Sequence, residues 1–467
     1  MHFQRIITEG LAHFSYLVGD AGKAVIIDPR RDCDVYLDEA GRAGLQIMYV
    51  LETHRHEDLV LGAGELASRS GAEVWHADSQ LPYEYGQPLR EGQDFQVGGL
   101  NLETIASPGH TEGGISYLLR DRAGSPWMLF SGDTLLAGDT GRTDLLGLGR
   151  MAEMRGLLHE TLFRRLLVLG DDVLLWPAHG AGTVCGRAVA DRPWTTIGME
   201  RRLNPSLGLT EVNAFVDAAG PQSDLPPYFS TAEKLNVRGA PALPEISPTF
   251  IAPRAFADIM DSAQVVDLRP ELAYLPAHIR GSLFLGPGGI SRYAGWFLDP
   301  ARPLLLVTEE DGSAAVGRVQ LARMGFESVT GCLAGGIDAW LMRGLPAAQT
   351  AGVTIHSMCR ELESDSDPYL IDVRAQHELD EQGRVPAARH VDLLRLPSLI
   401  AEIPLGRRIY VLCRSGYRST VAASVLEQNG RQDLAVILGG VSAWQSAECS
   451  VKLAWSTAGE SQLETDE

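Results

Sequence analysis

Short apolar runs closed by turn or polar residues recur along the chain, and four of them in the first part end in potential metal ligands. Met48 to Leu51 precedes His54, Leu102 to Ile105 precedes His110, Met128 to Phe130 precedes Asp133, and Val173 to Trp176 precedes His179. Runs of this length bounded by Gly, Pro, Asn and Asp predict strands, and the helix-like stretches between them predict an α/β layering. Strand-end loops are where such scaffolds converge side chains on a site. Further along, Leu304 to Val307 and Ile409 to Leu412 are each followed by a helical pattern, clearest at Val421, Val425 and Leu426 with Gly430 as its stop.

The later part of the chain is an internal repeat. Val265-Val266-Asp267-Leu268-Arg269 matches Leu370-Ile371-Asp372-Val373-Arg374, and Gly335-Gly336-Ile337-Asp338-Ala339-Trp340 matches Gly439-Gly440-Val441-Ser442-Ala443-Trp444, at offsets of 105 and 104. A near-constant offset predicts two copies of one α/β domain with a parallel sheet. The expected organisation is a first domain over 1–240, repeats over 249–347 and 353–449, and an acidic tail over 450–467. Pro-rich Gly239 to Pro253 reads as the linker before the first repeat.

Composition narrows the function classes. The 467 residues, 45% hydrophobic and 21% charged, suit a multidomain globular protein, and length alone suggests about three domains. The 60 acidic against 40 basic residues, a formal charge of −20, disfavour a nucleic-acid partner. There is no apolar run long enough to span a bilayer and no signal-peptide pattern at the N-terminus, so a cytoplasmic, non-membrane protein is expected. Six cysteines in so long a chain predict reduced thiols rather than a disulfide framework.

Imidazoles and carboxylates at Thr53-His54-Arg55-His56-Glu57-Asp58 form the ligand set of iron, zinc and manganese. A single histidine is more often a hydrogen-bonded structural residue, but four strand-end clusters in order are hard to read that way. With Pro108-Gly109-His110-Thr111, Ser131-Gly132-Asp133-Thr134 and Pro177-Ala178-His179-Gly180, the set resembles the motif series of the metallo-β-lactamase superfamily. Dinuclear hydrolases of that superfamily have a further histidine where this chain has Leu59, so the second metal position is impaired. What remains is similar to the persulfide dioxygenases, which use a single iron held by two histidines and a carboxylate. That resemblance implies one Fe(II) per chain on His54, His110 and Asp133, with His56, Asp58 and His179 orienting ligands or solvent. Such a set leaves about three open coordination positions where a zinc hydrolase needs only one. Gly141-Arg142-Thr143-Asp144, and Thr196 to Arg201 followed by Asn204-Pro205, also look like segments of this subfamily, although the latter also reads as a helix cap and turn. Arg142 is expected to orient a carboxylate or meet an anionic substrate. Cys185 is a candidate to approach the site and exchange sulfur, with a small buried structural cysteine as the competing reading.

In the second repeat, Cys413-Arg414-Ser415-Gly416-Tyr417-Arg418-Ser419 sits between a strand and a helix N-terminus, where backbone N–H groups and the helix dipole stabilise a thiolate. Arg414 and Arg418 add positive charge. The loop looks like the rhodanese active loop. Cysteine phosphatases place five residues between Cys and Arg, and here four separate Cys413 from Arg418. An offset of 104 sets Glu309 opposite Cys413, so the first repeat is read as an inactive rhodanese copy used for packing. Cys332 and Cys449 are read as structural.

The resemblances imply an α/β multidomain enzyme that oxidises a small-thiol persulfide, of glutathione or coenzyme A, with O2 to sulfite and thiol. Cys413 would then form, or use, thiosulfate. A glyoxalase II-like zinc thioester hydrolase with an accessory sulfurtransferase domain is the rival enzyme class, and a sulfide sensor or scaffold the non-enzymatic one. Rhodanese-like domains often mediate contacts, so self-association is also in view.

Overall fold

In the strands His13–Asp20 and Lys23–Ile27 alternate side chains sort into two different cores, as the two-residue period of a strand buried on both faces requires. Tyr16, Val18, Val25 and Ile27 point into one core, and Leu17, Ala24 and Ile26 into another. The first core lies between two six-stranded sheets. One runs His2–Thr8, His13–Asp20, Lys23–Ile27, Gln46–Leu51, Glu73–His76, Gln87–Pro88. Its partner runs Thr195–Thr196, Leu174–Pro177, Pro126–Gly132, Ile115–Arg120, Leu100–Ala106, Asp94–Val97. Phe95, Leu102, Tyr117, Leu119 and Phe130 of the second sheet interleave with the residues of the first. The helices Asp34–Arg42 and Ala63–Ser70 cover the outer face of one sheet, through Tyr36, Ala40 and Leu66. The helix Met151–Glu160 covers that of the other through Leu158. The result is an αββα sandwich.

This computed structural model describes residues 1–192, 194–218, 220, 225–243, 249–309, 311–364, 368–386 and 388–447. They group into two units, Met1–Ile246 with Val319–Glu327, and Ser247–Arg318 with Ser328 onward. Within the first unit the Arg323 guanidinium makes paired contacts of 2.7 and 2.8 Å to Asp32, and Arg31 lies 3.1 Å from Glu327.

The second unit holds two five-stranded sheets with the same strand order. The first is Phe250–Ile251, Val329–Leu333, Leu304–Val307, Gln264–Asp267, Leu283–Phe284, and the second is Ala351–Val353, Leu434–Ile437, Ile409–Leu412, Tyr369–Asp372, Ala388–His390. All their pairings are parallel. The repeated Asp-x-Arg has a structural cause: Arg269 folds back onto Asp267 and Arg374 onto Asp372, each with a closest contact of 2.7 Å in the buried interior. A buried guanidinium keeps its charge only when paired in this way.

Three expectations change. Asp267 pairs with Val307 and Asp372 with Leu412, so the residue equivalent to Cys413 is Thr308 and not Glu309. The offset is 105 up to the strand end and 104 at the glycine pair, and the difference is taken up in the intervening segment. Cys359 is disulfide-bonded, whereas Cys33, Cys185, Cys332 and Cys413 are free thiols. A low cysteine count argues against a disulfide framework but not against a single bridge. The expected linker Gly239 to Pro253 already contains the strand Phe250–Ile251, and Pro253, suited to a first helical turn, opens the helix Pro253–Ile259. Cys449 and the acidic tail lie outside the described residues. No described helix is long and apolar enough to cross a membrane.

Candidate functional site

Strand ends of both sheets of the sandwich meet at one buried cluster. His54 Nε2 stands 3.7 Å and His110 Nε2 3.6 Å from Asp133 Oδ2. Their other ring nitrogens are committed. His110 Nδ1 donates to the Arg142 carbonyl at 2.8 Å. Thr53 donates its hydroxyl to Asp28 at 2.8 Å and so accepts from His54 Nδ1, also at 2.8 Å. Both Nε2 atoms therefore face the cluster as lone pairs, buried and without a hydrogen-bond partner. Burial, reinforced by neighbouring cationic groups, holds both imidazoles neutral. Burial opposes ionisation of Asp133, but His179 at 2.8 Å and then His54 and His110 hold its carboxyl well below the usual range. Two neutral imidazoles and an ionised carboxylate are the protonation states a divalent ion needs, so these residues fit one.

A second layer fixes the first. Asp28 and Asp78 both adopt left-handed backbone, at φ 51° and 49°, a conformation Asp tolerates better than most residues. Asp28 also accepts the Thr53 N–H at 2.7 Å. Asp78 accepts the Arg55 and Gly113 N–H groups at 2.8 and 2.7 Å and the Thr111 hydroxyl at 3.0 Å, tying the His54 turn to the His110 loop. Glu57 lies within 4.8 Å of ligand atoms of His54 and His110, and its carboxyl is pushed up to about 8 by burial, with Arg55 opposing. His56, Asp58 and His179 form a further group of three within 4.8 Å. His179 bridges Asp133 and Asp58, 2.8 and 2.9 Å away, and despite burial these two hold it cationic. Leu59 is fully buried and offers no ligand.

Arg142 is buried, with a two-pronged contact to Asp144 at 2.7 and 3.0 Å. It also donates to the Val184 carbonyl, and its N–H to that of Cys185. It thereby brings Cys185 to the centre, where Sγ lies within 4.8 Å of ligand atoms of His110 and Asp133. Burial pushes that thiol well up. Thr196 to Pro205 is cap and turn: Thr196 caps the helix Ile197–Leu203, Asn204 caps the next turn, and Pro205 opens it.

In the second unit Cys413 directly follows the strand Ile409–Leu412, and its Sγ accepts the Gly416 N–H at 3.1 Å just before the helix Tyr417–Gln428. The turn is clamped from behind. Val441 and Ser442 N–H donate to the carbonyls of Cys413 and Arg414 at 2.9 and 3.0 Å. Gly440 has φ +52°, and a β-carbon there would lie 2.2 Å from the Cys413 carbonyl. Arg418 is engaged by Glu378 at 2.6 Å, which neutralises its charge, whereas Arg414 is exposed.

The chain matches the metallo-β-lactamase superfamily over residues 8–179 and the rhodanese-like domain twice, over 252–343 and 357–447. The mitochondrial persulfide dioxygenase of Bos taurus is 32% identical over 216 residues, 42% of this chain and 72% of that protein. The human counterpart is also 32% identical, over 204 residues. The chain belongs to the persulfide dioxygenase family. Within the same superfamily, a hydroxyacylglutathione hydrolase of Haemophilus influenzae is 29% identical over 217 residues, 41% of this chain and 91% of that protein. A crystal structure of a metallo-β-lactamase from Staphylococcus aureus superposes with a TM-score of 0.64 at 27% identity, covering 71% of this chain and 98% of that one. This member of the persulfide dioxygenase family thus carries its sandwich followed by two rhodanese-like domains. Sequence reasoning did not assign roles to Asp28, Thr53 and Asp78: Asp28 and Asp78 stand outside every motif and Thr53 only flanks the histidines, and the fold alone brings them to His54 and the His110 loop.

Proposed function

We propose that the sandwich is a non-haem Fe(II) persulfide dioxygenase, one ion per chain, acting on a small-thiol persulfide of glutathione or coenzyme A: R–S–SH + O2 + H2O gives R–SH, sulfite and two protons. The observation that carries this reading is the pair of bare, neutral Nε2 atoms of His54 and His110 beside ionised Asp133, with Leu59 in place of a further ligand. A ferrous ion on this set supplies the redox chemistry with dioxygen that closed-shell zinc lacks. The chain's own residues do the rest. Thr53 with Asp28, and the Arg142 carbonyl, lock the two imidazoles in tautomer and orientation. His179, cationic between Asp133 and Asp58, keeps the carboxylate ionised. The cleft at the cluster, lined by Arg55, Glu57, His110, Thr111, Leu145 and Leu146, is the entry for the persulfide. Cys185, whose Sγ lies within 4.8 Å of ligand atoms of His110 and Asp133, would exchange sulfur with it.

Cys413 then transfers sulfane sulfur between persulfide and sulfite, making or using thiosulfate, with Arg414 as the exposed cation of its loop. The two activities together suit removal of sulfide-derived persulfide. The rival, a zinc thioester hydrolase, has one observation in its favour: His56, Asp58 and His179 still cluster as a second ligand group.

Anaerobically purified, metal-quantified protein given glutathione persulfide separates the two. Dioxygen uptake at one iron per chain is expected, with sulfite accumulating in Cys413→Ser and thiosulfate in the wild type. Full iron occupancy without uptake, across several persulfides, rules out the dioxygenase and returns thioester hydrolysis to the front.

A further inference from the structure

The first repeat has Thr308 where the second has Cys413, yet one of its loops is built around the cysteine turn of the second. The strand Leu283–Phe284 lies on the helix Tyr417–Gln428 that begins at that turn. Phe284 N–H donates to Ser424 Oγ at 3.1 Å, Gly281 N–H to Glu427 at 2.9 Å, and His278 Nε2 stands 3.3 Å from Glu427. Tyr417, a member of the Cys413 loop, donates its hydroxyl to the Leu285 carbonyl. Gly289 passes so close that a β-carbon there would sit 2.3 Å from that hydroxyl. These contacts fix the first repeat against the mouth of the sulfur site.

Immediately after Gly289 the chain makes a wide π-helical turn, Ile290–Ala294, a geometry that recurs at functional sites. The turn presents exposed Arg292 and half-buried Tyr293, whose ring centroid is 6.2 Å from that of Tyr417. Burial raises the Tyr293 phenol, which also feels the charges of Arg418, Arg292, Cys413 and Glu378. Neither Arg292 nor the Tyr293 hydroxyl has a partner among the described residues. Arg418 is different, because Glu378 already holds it in a bidentate pair. The Cys413 loop therefore has only Arg414 as an unpaired cation of its own.

The chemistry at Cys413 requires more than that. In the thiosulfate direction the Cys413 thiolate attacks the outer sulfur, a Cys–S bond forms, the S–S bond of thiosulfate breaks, and sulfite leaves with the bonding electron pair. The reverse step is attack of the sulfite lone pair on the terminal sulfur of the Cys413 persulfide, and neither direction consumes an oxidant. Both bring a doubly charged sulfur oxyanion up to an anionic sulfur, which calls for fixed cationic and hydroxyl donors.

We propose that Arg292 and Tyr293 of the first repeat, together with Arg414, form the subsite that binds the oxyanion group of sulfite or thiosulfate at Cys413. The inactive copy is thereby a specificity element of the sulfur site. This rests on the reading of Cys413 as a sulfur carrier.

The test is steady-state sulfur transfer from thiosulfate to glutathione by the full chain, with circular dichroism confirming the fold of each variant. Arg292→Ala is expected to raise KM for thiosulfate about tenfold with a much smaller change in kcat, Tyr293→Phe to raise it severalfold, and Arg292→Lys to recover most of the loss. An unmoved KM in both Arg292→Ala and Tyr293→Phe overturns the subsite. Cys413→Ser, expected to be inactive, is the separate control: transfer persisting in it would sink the carrier reading itself.

Discussion

Thr53 shows how much of a candidate metal site can rest on a residue outside the proposed ligand set. Its hydroxyl joins Asp28 to His54 and leaves that imidazole one usable nitrogen. Thr53→Val removes the relay at nearly constant volume, and metal affinity should fall about 10- to 100-fold by chelator competition, with Thr53→Ser close to wild type. Glu378 offers a second test at this scale. Burial raises its pKa, but Arg418 outweighs burial and the net value is lowered from 4.5. A carboxylate lowered on folding stabilises above its unfolded pKa and loses that contribution as pH falls through the folded value. Glu378→Gln should therefore lower the melting temperature at pH 7, and the gap to wild type should close as the pH falls below 4.5 through the lowered folded value. His54, His110 and Asp133 could be proposed as ligands from the sequence because each stands in a multi-residue motif at a strand end. Asp28 and Asp78 were not, because their role depends on a left-handed backbone and on loops distant in sequence.

At the level of elements, the repeat was readable from periodicity and paired motifs, but its alignment was not settled to the residue. Two offsets compete, and only the strand pairing of Asp267 with Val307 decides that Thr308 occupies the place of Cys413. The glycine pair of each copy has a common cause that the sequence displayed without explaining. Gly336 and Gly440 have positive φ and press on the carbonyls of Thr308 and Cys413. Gly440→Ala forces a β-carbon into that carbonyl. It should destabilise the second unit by at least about 1 kcal/mol and abolish thiosulfate sulfur transfer, while the dioxygen uptake proposed for the sandwich is unchanged.

For the whole molecule, the sequence suggested successive domains in simple order, and in outline the sheets follow it. The departure is Val319–Glu327, which lies inside the first rhodanese-like match yet groups with the N-terminal unit. No hydrophobic pattern marks such an exchange, because Arg323 and Asp32 look like any two surface charges until the fold pairs them at 2.7 Å. Arg323→Ala should cost about 1–2 kcal/mol in denaturant unfolding, less than the ~3–5 kcal/mol of a fully buried pair, since Arg30 still stands 2.9 Å from Asp32. The same arrangement has a consequence during synthesis. Val319–Glu327 emerges from the ribosome about 70 residues after the rest of its unit, a delay of several seconds at typical elongation rates of ~5–20 residues per second. For that interval the nascent sandwich carries Arg31 and Asp32 without their late partners, so codon-level pausing in this window would alter how long the incomplete unit is exposed to chaperones and proteases.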